Sequence, residues 1–107
     1  MEKKKLAENL WLRELSALEA WSALGETKAL FDEFTEEPER TVFLRGMCRY
    51  ASVLRYALCN EEGKLIYETG KEVLERLSLR QLAFWGKAYE ETFPEPVTEE
   101  AFLGLEE

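Results

Sequence analysis

Apolar residues return every three or four positions through most of this chain, which is the period of a helix with one buried face. The clearest of these stripes lies in a helix predicted over about residues 36–59. Its members are Phe43, Met47, Tyr50 or Ala51, Leu54 and Leu58. Val42, Val53 and Ala57 widen the same face, so we expect this long helix to lie at the centre of the core.

A capping box marks the start of an earlier helix. In the sequence Ser16-Ala-Leu-Glu19, the Ser hydroxyl can accept from the Glu19 amide, and the Glu carboxylate can reach back to the Ser16 amide. This pairing predicts a helix from Ala17 to about Phe34, in which Gly25, costing about 1 kcal/mol relative to Ala, allows a kink or break. Its apolar stripe comprises Leu18, Trp21, Leu24, Ala29, Leu30 and Phe34.

A second box, Ser78-Leu-Arg-Gln81, predicts a helix that continues to about Thr92. Its stripe comprises Leu82, Trp85, Tyr89 and Phe93. Between the long helix and this one, we predict a turn at Asn60–Gly63, in which the glycine takes a positive φ. A short apolar stretch at residues 65–67 and a two-turn helix over about residues 70–77 follow.

The two ends of the chain are less regular. Residues 1–15 fit a helical face through Leu6, Leu10, Trp11 and Leu15, although Leu10 and Leu12 also alternate as in a strand; we predict a helix. Thr35-Glu-Glu-Pro38 has the composition of a helix start. Pro94 and Pro96 interrupt the chain. A last short helix is predicted after Thr98, with Ala101, Phe102 and Leu105 as its apolar residues.

These elements predict an all-α fold, a compact single-domain bundle of five to six helices with one long central helix. The domain is expected to cover residues 1–107, because this length fits one domain. Within it, residues 1–15 form an N-terminal segment that is either flexible or part of an interface. Residues 94–107 form an acidic C-terminal segment.

Charge and composition narrow the range of functions. The net charge is −8, and no basic residue follows Lys87, which disfavours binding to nucleic acid and favours basic partners. The chain has no histidine, so imidazole catalysis and imidazole metal ligation are excluded. Cys48 and Cys59 are predicted to lie on one helix, too far apart for a disulfide, and to be buried free thiols suited to a reducing cytoplasm. No stretch approaches 18 apolar residues, so no membrane span is predicted.

No residue pattern indicates a catalytic site, a metal site or a cofactor. The partner-binding candidates are Trp11, Leu12, Arg45, Arg49 and Phe102. Arg45 and Arg49 are one helical turn apart and face the same way, which suits either pairing with glutamates or contact with an acidic partner. Trp21 and Trp85 are expected in the core, whereas Trp11 lies beside a second apolar residue and is the better interface candidate.

Two stretches resemble the tail assembly chaperones of long-tailed bacteriophages. The segment 11–19, WLRELSALE, is similar to the family's "R-E-L-T-x-x-E" segment, in which a helix begins at the Thr or Ser. The segment 53–77, VLRYALCNEEGKLIYETGKEVLERL, resembles a long helix ending in "D-E-x-G-x-x-L/F", followed by a short helix and an "L-x-x-L-S" start of the next. Asn60 stands where the family usually has Asp, and residues 69–71 replace part of its acidic stretch.

The resemblance implies a non-enzymatic, self-associating helical protein that binds the tape-measure protein and recruits tail-tube subunits. It also implies a cytoplasmic location in an infected or lysogenic bacterial host. No site residue is carried over, since the family has no catalytic residues. The alternative is a small helical interaction or regulatory adaptor with an unknown partner. Adjacent tail-tube and tape-measure genes would favour the first interpretation, and a neighbouring toxin or kinase gene the second.

Overall fold

The computed structural model describes residues 2–34 and 41–94, which form a mixed fold of helices packed against a small sheet. In chain order the elements are β1 (Lys3–Ala7), β2 (Leu10–Arg13), α1 (Ala17–Phe34), α2 (Thr41–Ala57), β3 (Leu58–Cys59), α3 (Gly70–Arg76) and α4 (Leu79–Thr92). The strands form an antiparallel sheet in the order β1-β2-β3. The prediction of an all-α bundle of five to six helices is therefore wrong.

The first error lies in residues 1–15, which form a hairpin and not a helix. Strands β1 and β2 pair with Lys3 opposite Arg13 and Lys4 opposite Leu12. Asn9 in the connecting turn has a φ of 57°, a left-handed conformation that asparagine tolerates better than most residues. Leu12 lies fully buried in the core. The alternation of Leu10 and Leu12 was the correct signal in this segment.

The second error concerns the end of the long helix. Helix α2 ends at Ala57, and the next two residues extend as β3, where Leu58 pairs with Leu12 and Cys59 with Trp11. Cys48 and Cys59 therefore lie on different elements and not on one helix. Both are free and buried, as predicted.

The helix starts that rest on capping boxes are confirmed. Ser16 Oγ accepts from the Glu19 amide at 3.1 Å, and Glu19 Oε1 accepts from the Ser16 amide at 2.9 Å. The same reciprocal pair joins Ser78 and Gln81 at the start of α4. Gly63 takes a φ of 89° in the predicted turn. The predicted helix starts at Thr35 and Thr98 lie outside the described residues.

Helix α2 forms the centre of the core, as predicted. Its residues Ala51, Leu54 and Ala57 have no exposed surface. They pack with buried residues from the other elements, namely Leu12 of β2, Leu30 of α1, Val73 of α3, and Leu82, Tyr89 and Phe93, which is the C-cap of α4. Helix α4 approaches α2 closely at Gly86, where a Cβ would lie 2.3 Å from the Tyr50 ring.

Candidate functional site

In its first half, helix α1 carries glutamates toward the protein and large apolar side chains toward solvent. Leu18 is 73% exposed, Trp21 75% and Leu24 61%. These three residues belong to the stripe that periodicity predicts to be buried, so the prediction is wrong for them. Leu30 of the same stripe is buried, as is Ala23.

The first inward polar contact lies at the start of α1. The guanidinium of Arg13 on β2 donates from Nη1 to Glu19 Oε1 at 3.0 Å, and its Nη2 donates to the other carboxylate oxygen. This hydrogen-bonded pair lowers the pKa of Glu19, and the contact with the Ser16 amide lowers it further. The side chains are 15% and 24% exposed, so the pair is shielded from most of the solvent. Glu19 thus ties α1 to the sheet.

The second inward contact lies two turns later. Glu26 Oε2 accepts from the Gly70 amide at the start of α3 at 3.0 Å. The other oxygen of this carboxylate is 3.8 Å from Nη1 of Arg55 on α2. Glu19 and Glu26 are seven residues apart and therefore lie on the same side of α1. Their contacts together fix the rotation of the helix about its axis.

The outer face of α1 is consequently free of charge over its first two and a half turns. The exposed residues there are Ala17, Leu18, Ala20, Trp21, Leu24 and Gly25. We call these six residues the α1 apolar face. An exposed apolar patch of this kind is typical of surfaces that bind another protein, because water is released when it is covered.

A groove continues from this face between α1 and α2. Its walls are formed by Leu24, Thr27, Lys28, Phe31, Asp32, Arg45 and Arg49, and it encloses about 360 Å³. The Arg45 guanidinium lies 4.9 Å from the centre of the Phe31 ring, a cation–π contact. We call this cavity the α1–α2 groove. It combines an apolar floor with basic side chains from both helices, Lys28 on α1 and Arg45 and Arg49 on α2.

A second, smaller groove of about 190 Å³ lies on the other side of α2, against α4. It is lined by Val42, Phe43, Gly46, Met47, Tyr50, Leu79, Leu82 and Ala83. Val42, Phe43 and Leu79 are each more than half exposed. The described part of the molecule therefore presents apolar surface on both sides of its central helix.

The sequence-predicted partner-binding residues are not all brought together. Arg45 and Arg49 line the α1–α2 groove as a pair. Trp11 is half-buried on the sheet, with the ammonium groups of Lys3 and Lys5 at 5.7 and 6.0 Å from its ring centre. Leu12 is a core residue with no exposed surface. Phe102 lies outside the described residues.

Sequence reasoning missed Leu18, Trp21 and Leu24 as surface residues. A signal was present, because the segment 17–25 contains apolar residues on more than one side of the helix while Glu19 is committed to the capping box. The Glu19 carboxylate must face Ser16, which indicates the side of the helix that lies against the protein. Positions 18 and 21 then lie on the solvent side of the helix.

The described residues contain no group of three or more His, Cys, Asp or Glu side chains that could hold a metal ion. Burial raises the pKa of both cysteine thiols, which disfavours the reactive thiolate. Among the described helices, none is long and apolar enough to cross a membrane. No protein-family model, curated protein or solved structure matches this chain.

Proposed function

We propose that this protein is a non-enzymatic chaperone of phage tail assembly that binds the tape-measure protein and recruits tail-tube subunits. Two independent arguments support this proposal. The segments 11–19 and 53–77 resemble the tail assembly chaperones. The α1 apolar face and the adjoining groove supply a surface of the kind that an amphipathic helix covers.

The observation that carries the proposal is the exposure of Trp21 between Leu18 and Leu24. Tryptophan contributes a large apolar area to protein interfaces and is enriched among the residues that dominate binding energy. The three side chains lie at positions i, i+3 and i+6 and form one continuous ridge. Such a ridge can pack along the apolar stripe of a partner helix, which would otherwise aggregate.

The test is a titration of the chain with helical peptides from the tape-measure protein encoded next to it. We expect binding in the micromolar range, and we expect Trp21→Ala to weaken it at least about 30-fold. Phe84→Ala is the matched control, because Phe84 is an equally exposed aromatic residue on α4 that lines none of the grooves described above. The absence of binding at high micromolar concentration, or equal effects of the two variants, would refute the proposal.

A small helical adaptor would use the same surface for a different partner. The neighbouring genes separate these two functions, since only a tail-assembly chaperone needs adjacent tail-tube and tape-measure genes. A toxin or kinase gene in that position, together with Trp21-dependent binding to its product, would favour the adaptor.

A further inference from the structure

We propose that residues 95–107 of the same chain dock in the α1–α2 groove. Their carboxylates would face Lys28 and Arg45, and Phe102 and its apolar neighbours would cover Leu24 and Phe31. This intramolecular contact goes beyond the proposed function and does not depend on it. It also gives Phe102 and Arg45, both partner-binding candidates on sequence grounds, a common role.

The chemistry of the groove defines what it can hold. Lys28 and Arg45 are exposed, and Arg49 lines the same cavity, against one acidic residue, Asp32. The apolar floor is formed by Leu24 and Phe31. A segment that fits this groove should combine apolar side chains with several carboxylates. When the segment displaces water, the carboxylates pair with the basic side chains, which would otherwise lose their solvation.

Residues 95–107 have this composition. The segment, EPVTEEAFLGLEE, contains five glutamates and neither lysine nor arginine. Its apolar residues are Val97, Ala101, Phe102, Leu103 and Leu105. Glutamates flank residues 101–105 on both sides, at positions 99–100 and 106–107.

The segment also begins close to the groove. Glu90 and Phe93, at the end of α4, line a small cavity together with Arg49 and Tyr50 of α2. Because Arg49 borders this cavity and the α1–α2 groove alike, the two are separated by the width of one helix, on the order of 10 Å. The chain from Pro94 to Phe102 can extend at most about 26–29 Å, which covers that distance.

Covalent attachment favours the contact even when it is weak. A short tether gives the segment an effective concentration in the millimolar range at the groove. Another basic surface among the described residues is the strand β1, where Lys3 and Lys5 lie on one face over Trp11 and Lys4 points to the other face. It offers charge without an apolar cavity, so it is the competing location that the experiment must distinguish.

A spin label on the segment locates it. The native cysteines are buried, so a nitroxide reagent would react selectively at the thiol introduced by Thr98→Cys. We expect the label to cause loss of amide peak intensity in the NMR spectrum at residues 24–31 and 45–49 of the full chain. Arg45→Glu and Phe102→Ser should each restore these peaks. Lys64→Glu, the same charge change at a turn outside the groove, should leave the loss unchanged.

Broadening confined to the β1 residues, or to the segment itself, would overturn the proposal. So would broadening that appears only when labelled protein is mixed with a separate isotope-enriched copy, because the occupant would then be another molecule's segment. The measurement contains no tape-measure peptide, so its failure leaves the proposed function standing. A failed peptide titration would in turn leave the spin-label result unaffected.

Discussion

Replacement of Trp21 by alanine should separate binding from folding. The side chain is 75% exposed on α1, although its apolar character suggests a core residue. The substitution therefore removes surface that only a partner covers. The folded state should then be nearly as stable as before, while complex formation should be strongly weakened.

The magnitudes follow from the exposed fraction. A tryptophan buries about 150–250 Å² when it is covered completely, so the exposed three-quarters leaves roughly 110–190 Å² for a partner. At about 25 cal/mol per Å² this area corresponds to about 3–5 kcal/mol, an upper bound for binding. Alanine substitution at such anchors costs about 2–4 kcal/mol, so we expect Kd to rise at least 30-fold.

The effect on folding is smaller by the same reasoning. The covered quarter amounts to roughly 40–60 Å², or about 1–1.5 kcal/mol, and alanine recovers about half a kcal/mol through its higher helix propensity. The free energy of unfolding should therefore fall by less than about 1 kcal/mol. Leu30→Ala on the same helix is the contrasting variant, since Leu30 is buried and its loss should cost about 2–5 kcal/mol.

Urea unfolding followed by circular dichroism gives the stabilities of both variants, and calorimetric titration with a tape-measure helix gives the affinity. A loss of more than about 2 kcal/mol in Trp21→Ala would refute the reasoning, because the side chain would then have to be buried in the folded state. Repeating the unfolding at several protein concentrations shows whether a second copy of the chain provides that burial.

Three further predictions concern the fold. Gly86→Ala should lower the free energy of unfolding by about 1–3 kcal/mol, because the new Cβ meets the Tyr50 ring. Gly46→Ala is the control: a Cβ there has no atom within 4 Å, so the substitution should be neutral or stabilising in the same urea assay. Because Arg13 lowers the pKa of folded Glu19, this pair stabilises the fold above pH about 4.3, and the stabilisation is lost as the pH falls through the lower folded pKa. Glu19→Gln should therefore unfold more easily than the unsubstituted protein at pH 7, and the difference in the free energy of unfolding should shrink in acid. Urea denaturation at a series of pH values measures this difference. A difference that is constant with pH would contradict this. The two buried thiols should react with a chromogenic disulfide reagent at the rate of protein opening, and immediate reaction in native buffer would contradict their burial.

The parts of the fold that the sequence predicted correctly are those determined within a few residues. Ser16 and Glu19 satisfy each other's backbone groups without help from the rest of the chain, as do Ser78 and Gln81. The starts of α1 and α4 follow from these short patterns. The positive φ of Gly63 is equally local, because glycine alone adopts it without steric cost.

The sheet could not be predicted in this way because its partners are far apart in sequence. Strand β2 is four residues long, and its inner pairing is with Leu58 and Cys59, more than forty residues later. Those two residues continue the helical stripe of α2, so periodicity alone assigns them to the helix. The pairing of these residues with Leu12 and Trp11, and the contacts of Cys59 with Leu65 and of Leu58 with Ile66, make an extended conformation favourable there.

For the candidate site, periodicity identified a stripe on α1 but not the direction in which it points. A stripe such as Leu18, Trp21 and Leu24 normally faces the core of a globular protein. Which side of α1 faces inward is decided by Arg13, because it binds Glu19 from a different element. Arg45 and Arg49 were found correctly as a pair, since their spacing on one helix is sufficient to place them side by side.

The polar contacts of α1 therefore have a role beyond stability. Rotating the helix to bury Trp21 would hide apolar surface, but it would remove Glu19 from Arg13 and Glu26 from the Gly70 amide, leaving charged groups without partners in a shielded region. Breaking a shielded pair costs several kcal/mol, comparable to the gain from covering one large side chain. The two glutamates thus select the rotation that leaves the α1 apolar face outside, and a surface that is held in place at this cost is suited to binding another chain.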